Sequence, residues 1–217
     1  MTDYAARRRM MVDTQVRPSD VTKFPIIDAM LNIPRELFVP DQAREAAYAE
    51  EHIALDGGRV VLDARTLAKM LDALEIGSED LVLDIGAGLG YSSAVIARMA
   101  QAVVMVEEDE TMAGEAQTAL SGAGVDNVIV QTGALGEGAS EHGPYDVIIV
   151  EGGVERLPDA IEAQLKDGGR IACIFVTGNL GEVRTGLKID GAISWRYAFN
   201  TAAPVLPGFV AEREFSL

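Results

Sequence analysis

The stretch VLDIGAGLGY, residues 82–91, sets a carboxylate and three alternating glycines at the end of an apolar run, in the pattern Asp84-x-Gly86-x-Gly88-x-Gly90. Glycines at this spacing make a turn whose backbone a ligand can approach without a Cβ in the way and whose amides point outward. That is the geometry of a nucleotide site. A dinucleotide fingerprint, G-x-G-x-x-G, would need glycine at position 91, where Tyr91 stands. No G-K-[ST] follows and no lysine lies in the turn, which excludes a phosphate-binding P-loop. An acid at Asp84 suits a ligand that carries positive charge and would repel a pyrophosphate. Glu107, ending the next apolar run, stands 21 positions beyond Gly86, the separation at which a carboxylate commonly accepts both hydroxyls of a ribose.

Other chemistry is scarce. No zinc-type cluster and no H-E-x-x-H occurs, so no metal is expected, and His52 and His142 read as surface histidines. Cys173 is the single cysteine; it lies in the apolar run IACIFV and reads as a buried thiol, with no disulfide possible within one chain. The 34 acidic against 18 basic residues give a formal charge of -16, which cannot supply a nucleic-acid footprint. No apolar run approaches the ~20 residues of a membrane span and no h-region follows the N-terminal basic residues, so a cytoplasmic protein is expected. The Arg7-Arg8-Arg9 cluster reads as an exposed, solvated N-terminal arm.

The elements that must position the site follow from the texture of the chain. In the first sixty residues DVTKFPIIDAM and PDQAREAAYAEE read as short helices, broken by Pro34 and Pro40. ARTLAKMLDALE carries Leu67, Met70, Leu71 and Leu74 on one helical face that should pack on a sheet. From residue 80 onward short apolar runs alternate with helical stretches: LVLDI, SSAVIARMA, AVVMVE, DETMAGEAQTAL, NVIVQT, YDVIIVEG, ERLPDAIEAQLK, GRIACIFV. Such alternation predicts an α/β fold, a mostly parallel sheet with helices on both faces. The ending, EVRTGLKID, AISWRYAFN and FVAEREF, lacks helices between its candidate strands and predicts antiparallel pairing at a sheet margin, with NTAAPVLPGF as a strand connection. One domain is expected over 1–217, with 1–63 a helical cap and substrate segment and 64–217 the core.

The D-x-G-x-G-x-G motif resembles the first motif of S-adenosylmethionine-dependent methyltransferases of the Rossmann-like class. The flanking text narrows the resemblance. AMLNIPRELFVPDQAREAAYAEEHIAL resembles the "vPRe-FVp…AY-d-plp" stretch of protein-L-isoaspartate O-methyltransferases, and NVIVQTG, GPYDVIIVEGGV and QLKDGGRI resemble that family's later motifs, from about Ile33 to about Ile174. The resemblance implies S-adenosyl-L-methionine as cofactor and methyl transfer to the carboxylate of isoaspartyl residues in damaged protein, a repair reaction. It implies a cofactor site at Asp84, Gly86, Ala87, Gly88, Gly90, Tyr91, Glu107, Glu108, Gly133, Ala134 and Glu151.

The chain departs from the family at two places. Where the family reads "G-Q-T-I-S-x-P", this chain reads Gly58-Arg59-Val60-Val61-Leu62-Asp63-Ala64; Leu62 stands for the serine whose hydroxyl helps hold the substrate carboxylate, and Asp63 beside it would repel an anion. The family's "GDG" reads Gly133-Ala134-Leu135, without the aspartate expected near the adenine amino group. Three readings of these departures stand open: Arg59 or Arg65 replaces the serine by pairing with the substrate carboxylate; the acceptor is another nucleophile, with Asp63 as base or orienting group; or the chain is a non-catalytic binder. For Asp63 a helix N-cap ahead of ARTLAKML is the competing expectation.

Overall fold

The computed structural model describes residues 3–211. Tyr4–Met11 (α1) and Phe24–Asn32 (α2) are followed by single helical turns at Arg35–Leu37 and Asp41–Ala46, as the prolines require. A two-stranded antiparallel ribbon, Ile53–Ala54 (β1) and Val60–Val61 (β2), leads into Ala64–Leu74 (α3). Asp63 caps α3: one carboxylate oxygen accepts from the Thr66 amide at 2.8 Å and the other from the Thr66 hydroxyl at 2.7 Å. The capping expectation for Asp63 therefore holds, and both its oxygens are engaged.

Leu81–Ile85 (β3), Tyr91–Ala97 (α4), Ala102–Glu107 (β4), Glu110–Gly122 (α5), Val128–Thr132 (β5), Tyr145–Val154 (β6), Asp159–Gln164 (α6), Leu165–Thr177 (β7), Leu180–Ile189 (β8) and Ala192–Asn200 (β9) complete the order. The seven-stranded sheet runs β5-β4-β3-β6-β7-β8-β9. β5 to β7 are parallel, and β7, β8 and β9 form an antiparallel meander. The expected mostly parallel α/β sheet with an antiparallel margin is present. Of the third candidate strand, FVAEREF, Phe209–Ala211 form no strand, and the rest lies outside the described residues.

Strand residues alternate between two buried layers. Val82, Val103, Met105, Val147 and Ile149 face α3, α4, α5 and the N-terminal helices, while Leu83, Ile85, Val104, Val106, Ile148 and Val150 face α6 and the segment around Leu206 and Phe209. Met11, Val12, Ile27, Met30 and Phe38 belong to the first layer, so the N-terminal sixty residues share a core with the sheet.

The N-terminal arginines correct the expectation of a solvated arm. Arg8 lies in α1, half-buried, and donates to Glu36 at 3.1 Å and to the Tyr48 hydroxyl at 3.0 Å; Arg7 pairs with Glu45 at 3.0 Å. Only Arg9 of the three is exposed. The acids and the tyrosine that claim them lie about 30 to 40 residues away, beyond the reach of local pattern reading.

Candidate functional site

β3 pairs with β4 on one side and β6 on the other. Chain order therefore reverses at β3, and ligands of open α/β sheets bind at the carboxyl ends of strands at such a switch point. The glycine turn lies there. Gly86, Gly88 and Gly90 have φ of 77°, 58° and 88°, a region that L side chains rarely adopt and that glycine enters without strain. Gly90 is also the residue that precedes the first turn of α4.

Behind the turn Asp84 is wholly buried. Its Oδ2 accepts from the hydroxyls of Ser92 at 2.7 Å and Ser93 at 2.6 Å, and its Oδ1 has no partner. Glu151, on the adjacent strand β6 and two residues past the register partner of Asp84, is buried with Oε1 unpartnered. Burial pushes the Asp84 carboxyl up to about 6, against the two serine bonds, and Glu107 adds repulsion. Burial and the nearby Asp84 raise Glu151 well above the usual carboxylate range. Arg35, fully buried, lies over the Tyr91 ring at 4.6 Å and donates to the carbonyls of Ala47 at 2.7 Å and Leu62 at 2.8 Å. The PRELFVP motif thus ties the cap to the segment before α3.

Glu107 ends β4 fully buried, and its oxygens meet five donors. Arg59 approaches with both terminal nitrogens, Nη1 to Oε1 and Nη2 to Oε2, each at 3.0 Å. The amides of Gly88 (2.9 Å), Glu108 (3.0 Å) and Asp109 (3.2 Å) complete the set. Arg59 Nη2 also donates to the Gly86 carbonyl at 2.7 Å. In this structure the Arg59 guanidinium is buried against Glu107 and the glycine turn, with both terminal nitrogens engaged.

Leu62 is buried in the core under the cap, so a hydroxyl at that position would meet apolar side chains. Asp63 is held by Thr66 and by His52, 3.2 Å from its Oδ2, and Arg65 is exposed. His52 corrects the surface reading: it is half-buried, its Nε2 lies 2.8 Å from the Ala202 carbonyl, and its Nδ1 accepts from the Asp63 amide at 2.9 Å. Ala87 and Tyr91 are buried, Glu108 and Ala134 exposed, and Gly133 donates to the Glu107 carbonyl at 3.0 Å. Cys173 is buried as expected, its thiol pushed up by desolvation.

The sequence did not point to Leu55 and Leu206. A Cβ on Gly88 would lie 2.5 Å from Leu55 Cδ1; one on Gly86 would lie 3.0 Å from both Arg59 Nη2 and Leu206 Cδ1; one on Gly152 would lie 2.5 Å from Leu206 Cδ2. The space that the glycines leave open is filled by the chain's own side chains. Ser92 and Ser93, eight and nine residues after Asp84, did carry a signal: hydroxyls one helical turn inside a glycine-capped helix can reach back to the strand end.

A switch-point glycine turn flanked by an acid at the end of each of two neighbouring strands defines the class of Rossmann-like S-adenosylmethionine-dependent methyltransferases. The protein-L-isoaspartate(D-aspartate) O-methyltransferase family model matches residues 7–185. The chain belongs to this family, and its function is S-adenosylmethionine-dependent methyl transfer of that kind. It is 35% identical over 170 residues to protein-L-isoaspartate O-methyltransferase 1 of Rhodopseudomonas palustris, covering 78% of this chain and 69% of the relative. It is 38% identical over 165 residues to protein-L-isoaspartate O-methyltransferase 2 of Pelobacter propionicus, covering 76% and 73%. A solved protein-L-isoaspartate O-methyltransferase superposes with a TM-score of 0.81 at 26% identity, over 93% of this chain and 67% of that one.

The residue set fits the cofactor: three glycines at positive φ, the free oxygen of Asp84 behind them and a carboxylate at the end of β4. Beside them Leu55, Arg59 and Leu206 pack against the glycines. Among the described residues no helix is long and apolar enough to cross a membrane, and no group of three or more His, Cys, Asp or Glu side chains could hold a metal ion.

Proposed function

We propose that this chain methylates the free carboxylate of L-isoaspartyl residues in protein or peptide substrates, with the cofactor held at the switch point between β3 and β6. Family membership over most of the chain is the observation that carries this reading. When bound, S-adenosylmethionine supplies an electrophilic methyl group on a sulfonium. Asp84, buried with one oxygen free, would attract its ammonium directly or through water; Gly86, Ala87, Gly88 and Gly90 would let its body approach the backbone; Glu107 would accept its ribose hydroxyls. Tyr91, Glu108, Gly133, Ala134 and Glu151 would border it.

The substrate carboxylate needs no base, because with a pKa near ~4 it is ionised and nucleophilic at neutral pH. Transfer of the methyl group to its oxygen would leave a neutral ester and a neutral thioether. Charge disappears along this path, so a closed site that excludes water favours it, and alignment supplies much of the acceleration. With Leu62 in the core, the arginines of the segment that would hold the anion are Arg65, exposed in the first turn of α3, and Arg59 once it is released from Glu107. The cap and core would act as one unit. A net charge of -16 argues against nucleic acid or an anionic membrane as partner, and a single buried thiol suits the cytoplasm.

The test is transfer of radiolabelled methyl from S-adenosylmethionine to an isoaspartyl peptide, against the same peptide with ordinary aspartate. Base-labile, volatile counts on the isoaspartyl peptide alone are expected. Methyl transfer to other acceptors with none to this peptide would refute the assigned substrate.

A further inference from the structure

We propose that the hairpin carrying Leu55 and Arg59, together with Leu206, is a self-closing lid on the cofactor cleft, with Arg59 occupying the ribose position on Glu107. The proposal rests on the cofactor assignment above.

Three observations converge. A carboxylate has about four lone-pair sites, and Glu107 already meets five donors, so it has no capacity left for two ribose hydroxyls while Arg59 is in place. Leu55 and Arg59 sit on one short loop, closed by the Leu55 amide on the Arg59 carbonyl at 2.8 Å, and they cover different glycines, Gly88 and Gly86. Leu206 fills the remaining side, between Gly86 and Gly152, where the two strands of the switch point diverge.

The hairpin lies outside the main sheet, whereas Leu206 is tied to it through its backbone, so on that side only the side chain has to swing. The hairpin is a two-residue ribbon outside the main sheet, and its tip, Gly57 and Gly58, is exposed, at φ of 65° and 73°, with nothing within 4 Å of either Cβ position. Leu206 sits on a segment laid along β6: its amide donates to the Gly153 carbonyl at 2.9 Å, and the Gly153 amide donates to Pro204 at 2.7 Å. Opening takes the two Arg59 donors off Glu107, where three amide donors remain, and so frees acceptor capacity on the carboxylate for the ribose. The apparent affinity for the cofactor is the intrinsic affinity reduced by the fraction of molecules that are open.

The test is calorimetric titration of S-adenosylhomocysteine into wild type, Arg59→Gln and Leu206→Ala, with melting curves taken without ligand. Arg59→Gln is expected to bind at least tenfold tighter than wild type while melting at a lower temperature. Leu206→Ala, which leaves the ion pair intact, should tighten binding by several-fold and serves if Arg59→Gln does not fold. Wild type binding as tightly as both variants would overturn the lid and leave the methyltransferase reading standing. No binding by any of the three would overturn both.

Discussion

At Asp84 two serine hydroxyls share one oxygen, the other is unpartnered, and a second buried carboxyl, Glu151, stands on the neighbouring strand. Burial holds the folded-state pKa at about 6, above the unfolded value near ~4. A raised carboxyl contributes its stability in the protonated form, so that contribution is complete below pH ~4 and is lost as pH rises through about 6. Asp84→Asn keeps an oxygen for Ser92 and Ser93 and removes the buried charge. It is expected to stabilise the protein by about 2 kcal/mol at pH 7.5, with little gain near pH 4, in urea titrations at both values. Equal effects at the two values would show that Asp84 does not titrate in this window. The same variant should bind S-adenosylmethionine more weakly, since the acid that suits the glycine turn to a cation would be gone.

On the element scale, α3 begins at a cap that serves two neighbours. Burial alone would raise Asp63, but the adjacent His52 and the bonds from Thr66 overcome it and hold the carboxyl at about 2. A depressed carboxyl contributes stability above the unfolded pKa, and that stability is lost as pH falls from ~4 toward about 2. Asp63→Ala should cost about 1–2 kcal/mol at neutral pH, the usual cost of removing a cap, and flatten the acid limb of the stability curve; an unchanged melting temperature would show that the cap contributes nothing. This cap and the glycine turn were legible in the sequence because each rests on neighbours a few residues apart, and the parallel core because apolar runs alternate with helical stretches along the chain. The lid was not. Arg59 finds Glu107 48 residues away, and Leu206 reaches Gly152 only because the chain returns along β6 after β9. α1 escaped notice for a related reason: its arginines look solvated until Glu36, Glu45 and Tyr48 fold against them.

For the whole molecule, a formal charge of -16 surrounds a site whose proposed substrate is itself an anion. The long-range field therefore opposes the encounter. Such repulsion is screened over the Debye length, about 30 Å at 0.01 M salt and about 3 Å at 1 M, so its effect belongs to association and not to the chemical step. An isoaspartyl peptide flanked by lysines should show kcat/KM on the order of tenfold above one flanked by glutamates at about 0.01 M salt, with the ratio closing toward unity near 1 M. The kcat values should differ little, because charge disappears within the closed site whatever the flanks carry. A peptide preference that persists undiminished at high salt would place specificity in direct contacts around the acceptor instead of in the field of the whole chain.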